Sequence, residues 1–301
     1  HRERYRNNAA GMNKVAVGYT LPGAMAEYVL LTGEVIDNRC LIPLPSDSIP
    51  LFAACLAEPF SCVVAAQELH IHFEKGRPGE SARPVSGVKK GGITVVIGAG
   101  PMGLMHTELA LARGAGSVIV SEVLDQRRAR LVQHFDSSGG PADKNVIPVS
   151  PDRLEETLQE VSGGSEADDV IVAVGSARLQ EYALSLLAKG GVANFFGGTK
   201  AGTSQITVDT RRVHYDSITM VGSSGSQPRH VADVLELLKN DQVNPGPYVS
   251  AVGGMESVLD LMTRVRNQDL EGKGVIYPHL SGKLRLVNGW SAGQEAEYLG
   301  L

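Results

Sequence analysis

The stretch Gly98-Ala99-Gly100-Pro101-Met102-Gly103 decides the fold. It follows the apolar run Ile93-Thr94-Val95-Val96-Ile97 and precedes a helical pattern over residues 104–113. Strand, three-glycine turn and helix in this order form the context in which such a turn holds a dinucleotide pyrophosphate. Gly98 allows the tight turn out of the strand. Gly100 lets backbone approach a phosphate with no Cβ in the way, and Gly103 permits close packing of helix on strand. Pro101 suits an early helical position, where its missing N–H has no intrahelical partner. The helix amino end, with Met102 in its first turn, offers unpaired N–H groups and a partial positive charge to the phosphates. Gly114 is placed to close the helix as a left-handed cap.

Working outward, residues 117–121 read as a second strand with Glu122 at its carboxyl end, 24 positions after Gly98 and near the ~20 expected of a ribose-binding acid. A carboxylate there accepts hydrogen bonds from ribose hydroxyls and repels a 2′-phosphate, which favours NAD. Arg127 and Arg128, just beyond the strand, could receive that phosphate, so NADP stays open.

Downstream, a helix is expected over 126–135. Residues 169–174 and 192–196 are apolar runs of the kind buried on both faces of a parallel sheet. Between them a helix over 179–187 is expected to end at Gly190-Gly191. A strand over 217–221 precedes a glycine- and serine-rich turn and a further helix reaching Leu238. This alternation predicts an α/β fold with a doubly wound parallel sheet. Ligands lie beyond the carboxyl ends of such strands, which puts Gly175, Gly197, Ser223 and Ser224 beside the cofactor, unless they are only strand-ending turns. After residue 249 come a helix over 255–265, a strand over 274–278 and a tail without a reading.

Upstream, residues 23–31 read as a turn and a strand-like segment, and residues 35–36 and 40–43 as short extended pieces. Pro43, Pro45 and Pro50 forbid a long helix there, so this part is expected to be β-rich. A helical pattern covers 51–66. Within it Glu58 has apolar neighbours, and Pro59 should push it out of helical geometry. A buried carboxylate and a solvated one at a helix start are both open. Residues 70–90, with Lys75, Gly76, Arg77 and Pro78, read as a basic loop or insertion, either solvated or attracting a phosphorylated substrate. His70 and His72 alternate as strand neighbours would and lack a third metal ligand, so they read as surface residues.

The chain has 301 residues, 43% of them hydrophobic, enough for a sizeable core in one or two domains. A net charge of −5 with mixed signs argues against nucleic acid or an anionic membrane surface as the main partner. No apolar run has the length of a membrane span, and the polar start is no signal peptide. Cys40, Cys55 and Cys62 read as reduced cytosolic thiols used as small packing residues, which implies a cytoplasmic location.

With these pieces in order, the sequence resembles the zinc-type medium-chain dehydrogenases/reductases, nearest their sorbitol and threonine dehydrogenase branch, over most of residues 20–278. The resemblance is carried by Gly23-Ala24-Met25-Ala26-Glu27-Tyr28, Ala57-Glu58-Pro59-Phe60-Ser61-Cys62, the glycine turn, Glu122 with Arg127, Val213-His214-Tyr215 and Gly272-Lys273-Gly274-Val275-Ile276. It implies a Rossmann domain at 64–245 between the remainder of a β-rich GroES-like catalytic domain at 1–63 and its C-terminal return at 246–301. It also implies hydride transfer between NAD(H) and a secondary alcohol or ketone of a polyol or sugar, assisted by zinc, in a homodimer or homotetramer. In that branch the glutamate of the Glu-Pro step lies at the catalytic zinc, directly or through water, and Glu58 matches it. Ser250-Ala251-Val252-Gly253-Gly254 is similar to sorbose-1-phosphate reductases. The family's upstream cysteine, its Gly-His-Glu segment and its four-cysteine lobe do not occur. Either an upstream portion is missing from this sequence or the chain is a cofactor-binding remnant. A zinc-free NADPH reductase of the quinone-reductase kind and a non-catalytic dinucleotide-binding module are the alternatives.

Overall fold

The computed structural model describes residues 17, 18, 21–74, 79–137 and 146–301; Lys75, Gly76, Arg77 and Pro78 of the basic loop lie outside them. Helix α1 (Gly33–Asp37) is followed by α2 (Leu51–Gln67), the hairpin β1 (Ile71–Glu74) and β2 (Arg83–Ser86), then β3 (Ile93–Ile97), α3 (Pro101–Ala112), β4 (Ser117–Ser121) and α4 (Asp125–Ser137). Next come β5 (Val146–Val149), α5 (Leu154–Ser162), β6 (Ala167–Val172), α6 (Ala177–Ser185), β7 (Leu187–Asn194), α7 (Thr210–Tyr215) and β8 (Thr219–Val221). The chain continues through α8 (Pro228–Lys239), β9 (Val249–Gly254), α9 (Val258–Asn267), β10 (Lys273–Tyr277), β11 (Arg285–Leu286) and α10 (Ala292–Leu299). It divides into two units, Cys62–Gly225 and His1–Ser61 with Ser226–Leu301.

In the unit Cys62–Gly225 six parallel strands are ordered β5-β4-β3-β6-β7-β8. Counted from β3, that is the 3-2-1-4-5-6 order of the doubly wound dinucleotide-binding sheet. The order reverses between β3 and β6, the switch point outside whose strand ends such sheets bind their ligands. Alternation sends Val95, Ile97, Ile119, Val170, Val172 and Ala193 to one face, packed with Leu154, Leu158, Ala183 and Leu184 of α5 and α6. Thr94, Val96, Asp169, Ile171 and Asn194 occupy intervening positions of β3, β6 and β7, and all are buried.

In the other unit β10 pairs parallel with β9, and β11 pairs antiparallel on its far side. Residues 21–50 depart from expectation. Instead of a β-rich segment they hold the short helix α1, and the strand-like pieces at 23–31 and 40–43 find no ladder partner among the described residues.

Other expectations also fail. Gly190-Gly191 does not end a helix: α6 ends at Ser185 and the glycines lie inside β7, where Gly190 takes φ +75° and donates to the Asp216 carbonyl. Part of the basic loop is the β1–β2 hairpin. Pro59 does not break α2, which runs through it. A proline removes one helical N–H, and the burial of Phe52, Leu56, Ala57 and Phe60 outweighs that loss. Glu58 is therefore helical and exposed, so the buried alternative fails. Cys40 and Cys55 are exposed and Cys62 is half-buried, all three as free thiols, so they are not core packing residues.

Candidate dinucleotide-binding site

Gly98 leaves β3 with φ +103° and donates its N–H to the Ser121 carbonyl at 2.8 Å. A Cβ on Gly98 would lie 2.5 Å from Val174 Cγ2, and one on Gly103 only 1.8 Å from the Gly98 carbonyl oxygen. These two glycines are required by the fold itself. Gly100 differs: its backbone is ordinary, at φ −69° and ψ 176°, and a Cβ there would meet nothing within 4 Å. The space it leaves open lies at the amino end of α3, where Pro101 begins the helix and no side chain caps it. Helix amides and dipole are thus presented to an unfilled space, the arrangement that receives a pyrophosphate. At the far end Gly114, at φ +92°, follows the cap residue Arg113 as expected.

Glu122 is brought to this turn by the β3–β4 pairing, which sets Ile97 beside Ser121. Its side chain is buried; Oε2 accepts from Ala99 N at 2.9 Å and Oε1 from Leu124 N at 3.0 Å. An ionised carboxylate has about four acceptor positions, so these two bonds leave capacity for ribose hydroxyls. Arg127 Nη1 lies 3.6 Å from Glu122 Oε2 with its side chain 41% exposed. Arg128 is occupied, donating to the Glu122 carbonyl and pairing with Asp125.

Gly175 and Gly197 end neighbouring strands in turns that touch. A Cβ on Gly175 would lie 2.3 Å from the Gly198 carbonyl oxygen, and one on Gly197 2.3 Å from the Val174 carbonyl carbon. Close backbone approach accounts for both glycines before any ligand is considered. Ser223, half-buried, and Ser224, exposed, follow β8. Residues 98–103, Glu122, Arg127 and the two touching turns therefore gather at the strand carboxyl ends.

A catalytic zinc needs three protein ligands. Of the set implied by the resemblance, Glu58 is the one residue matched, and the residues described do not complete it. A different trio does converge: His70, His72 and Asp169, all buried rather than on the surface. Its contacts are hydrogen bonds. His70 Nδ1 and His72 Nε2 lie 2.5 Å and 2.8 Å from the same oxygen, Asp169 Oδ1, while Lys89 N donates to Oδ2 at 2.8 Å. Asn194 Nδ2 donates to the Ala66 carbonyl at 2.8 Å and lies 3.0 Å from His70 Nε2. The carbonyl can only accept, so it fixes the amide; His70 Nε2 must then accept, and its proton sits on Nδ1 facing Asp169. A protonated nitrogen cannot ligate a metal. Burial alone would raise the Asp169 pKa, but the hydrogen bonds from His70 and His72 outweigh it and hold the carboxyl below its ordinary value. This trio is a buried strut tying the end of α2 and β1 to β6 and β7. The acid opening the apolar run at 169 was the sequence signal for it; nothing local named its partners.

Residues 101–240 match the zinc-binding dehydrogenase family. The chain is 27% identical over 287 residues to mannitol-1-phosphate 5-dehydrogenase of Aliivibrio fischeri, covering 93% of this chain and 66% of that protein. It is 29% identical over 271 residues to L-sorbose 1-phosphate reductase of Klebsiella pneumoniae, covering 87% and 64%. In structure it is similar to an alcohol dehydrogenase of a Thermus species, with a TM-score of 0.59 at 19% identity over 77% of this chain and 62% of that one. The chain thus spans under two thirds of the length of these relatives. The segment that matches the zinc-binding dehydrogenase family begins on the Pro101 turn and includes β4 to β8.

Proposed function

We propose that this chain provides the dinucleotide-holding part of a cytoplasmic dehydrogenase that transfers hydride between NAD(H) and a secondary alcohol or ketone of a polyol or sugar phosphate. The observation that carries the reading is Gly100, a glycine that the fold does not need and that leaves open space at the bare amino end of α3. The bound nicotinamide supplies the hydride chemistry. The protein's part is placement. Amides of the α3 amino end hold the pyrophosphate, and Glu122 accepts from the ribose hydroxyls while its bonds to Ala99 and Leu124 keep the turn in shape. The substrate class rests on the names of the two phosphorylated-sugar relatives. Glu58 alone does not make a zinc site.

A zinc-free NADPH reductase is the second reading, favoured by the exposed Arg127 guanidinium beside Glu122. Titration with NADH and NADPH, followed by turnover on mannitol 1-phosphate and sorbose 1-phosphate analogues, separates the two. Tighter NADH binding with polyol turnover supports the first; tighter NADPH binding with none overturns it.

A further inference from the structure

Helix α2 begins at Leu51 immediately after Pro50, with no serine, threonine or aspartate in the capping position. Its first amides are nevertheless satisfied. Ala53 N and Ala54 N donate to the Pro50 carbonyl, each at 3.0 Å. Leu51 N and Phe52 N donate to Glu295 Oε2 and Oε1, each at 2.8 Å, from α10 at the other end of the sequence. Glu295 is 4% exposed, so the bonds are shielded from water, and a carboxylate at a helix amino end also meets the favourable end of the dipole.

The cap is itself held. Tyr277 Oη donates to Glu295 Oε1 at 2.6 Å and accepts from Trp290 Nε1 at 2.9 Å. Both rings are buried, and each packs against Tyr298. Burial and the Glu295 bond push the Tyr277 hydroxyl above its ordinary pKa, so it stays a donor. A continuous line of bonds therefore runs from Trp290 through Tyr277 and Glu295 to the start of α2, within one unit.

From this line we infer that Glu295 is a positioning residue: it caps α2 from the C-terminal segment and so fixes where Glu58, two turns further along that helix, is presented. The importance of Glu58 rests on the family resemblance, which sets the glutamate of the Glu-Pro step at a catalytic zinc; the cap does not. Trp290 is the single tryptophan of the chain, so its emission reports the line directly.

The test compares the chain with Glu295→Gln, which keeps one acceptor oxygen, and with Tyr277→Phe, which keeps the ring. Amide hydrogen exchange and Trp290 emission are the readouts. In Glu295→Gln the amides of Leu51 and Phe52 should exchange about ten-fold faster, equivalent to ~1.4 kcal/mol for a lost cap, while those of β3 and β4 keep their rates. Trp290 emission should shift in both variants. Unchanged exchange at Leu51 and Phe52, or an equal rise throughout the chain, overturns the inference. Glu58→Gln, assayed alongside, should leave emission and exchange untouched. If it also leaves turnover untouched, the role that the resemblance implies for Glu58 fails while the cap stands.

Discussion

Gly103 packs so closely against Gly98 that a Cβ would lie 1.8 Å from the Gly98 carbonyl oxygen. That oxygen is backbone in a turn fixed by the β3–β4 hydrogen bonds and cannot move aside. Gly103→Ala should therefore destabilise the protein by roughly 3 kcal/mol or more, as overpacking against a rigid neighbour does. Thermal denaturation checks this, and a melting temperature equal to that of the parent contradicts it.

Glu122 should govern cofactor choice. Glu122→Ser removes the charge that repels a 2′-phosphate and leaves Arg127 to receive it. The ratio of NADPH to NADH affinity should rise about ten-fold or more, ~1.4 kcal/mol. The same variant leaves the Ala99 and Leu124 amides without their acceptor, at a cost of about 1–3 kcal/mol in stability. Isothermal titration with both cofactors checks the first expectation and chemical denaturation the second. An unaltered ratio removes Glu122 from the ribose.

Asp169 should make stability fall in acid. Its folded pKa lies below the ordinary value of 3.8. The unfolded chain therefore binds the proton first, and the contribution is complete above that ordinary value and lost as pH drops through the folded one. Asp169→Asn presents donors to donors in a sealed site and should cost about 3–5 kcal/mol at neutral pH. Urea denaturation from pH 6 to pH 3 should show an acid-dependent loss in the parent that is diminished in the variant. Parallel curves contradict the account.

His106 should stay neutral throughout the range in which histidines usually titrate. Burial is the main cause, with His70 and Arg113 adding to it, and together they lower its pKa to about 3. In an NMR titration its ring signals should be flat between pH 8 and pH 5. A midpoint near the ordinary value of 6.5 contradicts its burial.

What could be read in the sequence was what depends on near neighbours. Residues 93–122 were legible because an apolar run, three glycines and a helical pattern each constrain the chain within a few residues of themselves, and β3 and β4 fall where expected. The tail was not legible because the value of Glu295 lies in two amides 243 and 244 positions away. His70 and His72 were misplaced on the surface for the same reason: Asp169, 99 and 97 positions on, decides that they are inside. Local rules also lost to packing at Glu58, where the proline effect on its predecessor is weaker than the burial of one face of a helix running Leu51–Gln67. In the site, the separate roles of the three glycines were legible from their order, and the structure agrees: a Cβ would lie 2.5 Å from a neighbouring atom at Gly98 and 1.8 Å at Gly103, and meet nothing within 4 Å at Gly100.

The central claim is that the space in front of Gly100 receives a dinucleotide. Calorimetric titration of NADH into the protein and into Gly100→Val tests it most directly. The account predicts one bound NADH per chain in the parent and a loss of binding of at least a hundred-fold, ~2.8 kcal/mol, in a variant that melts at the same temperature. A variant that folds and binds NADH as tightly as the parent would contradict it.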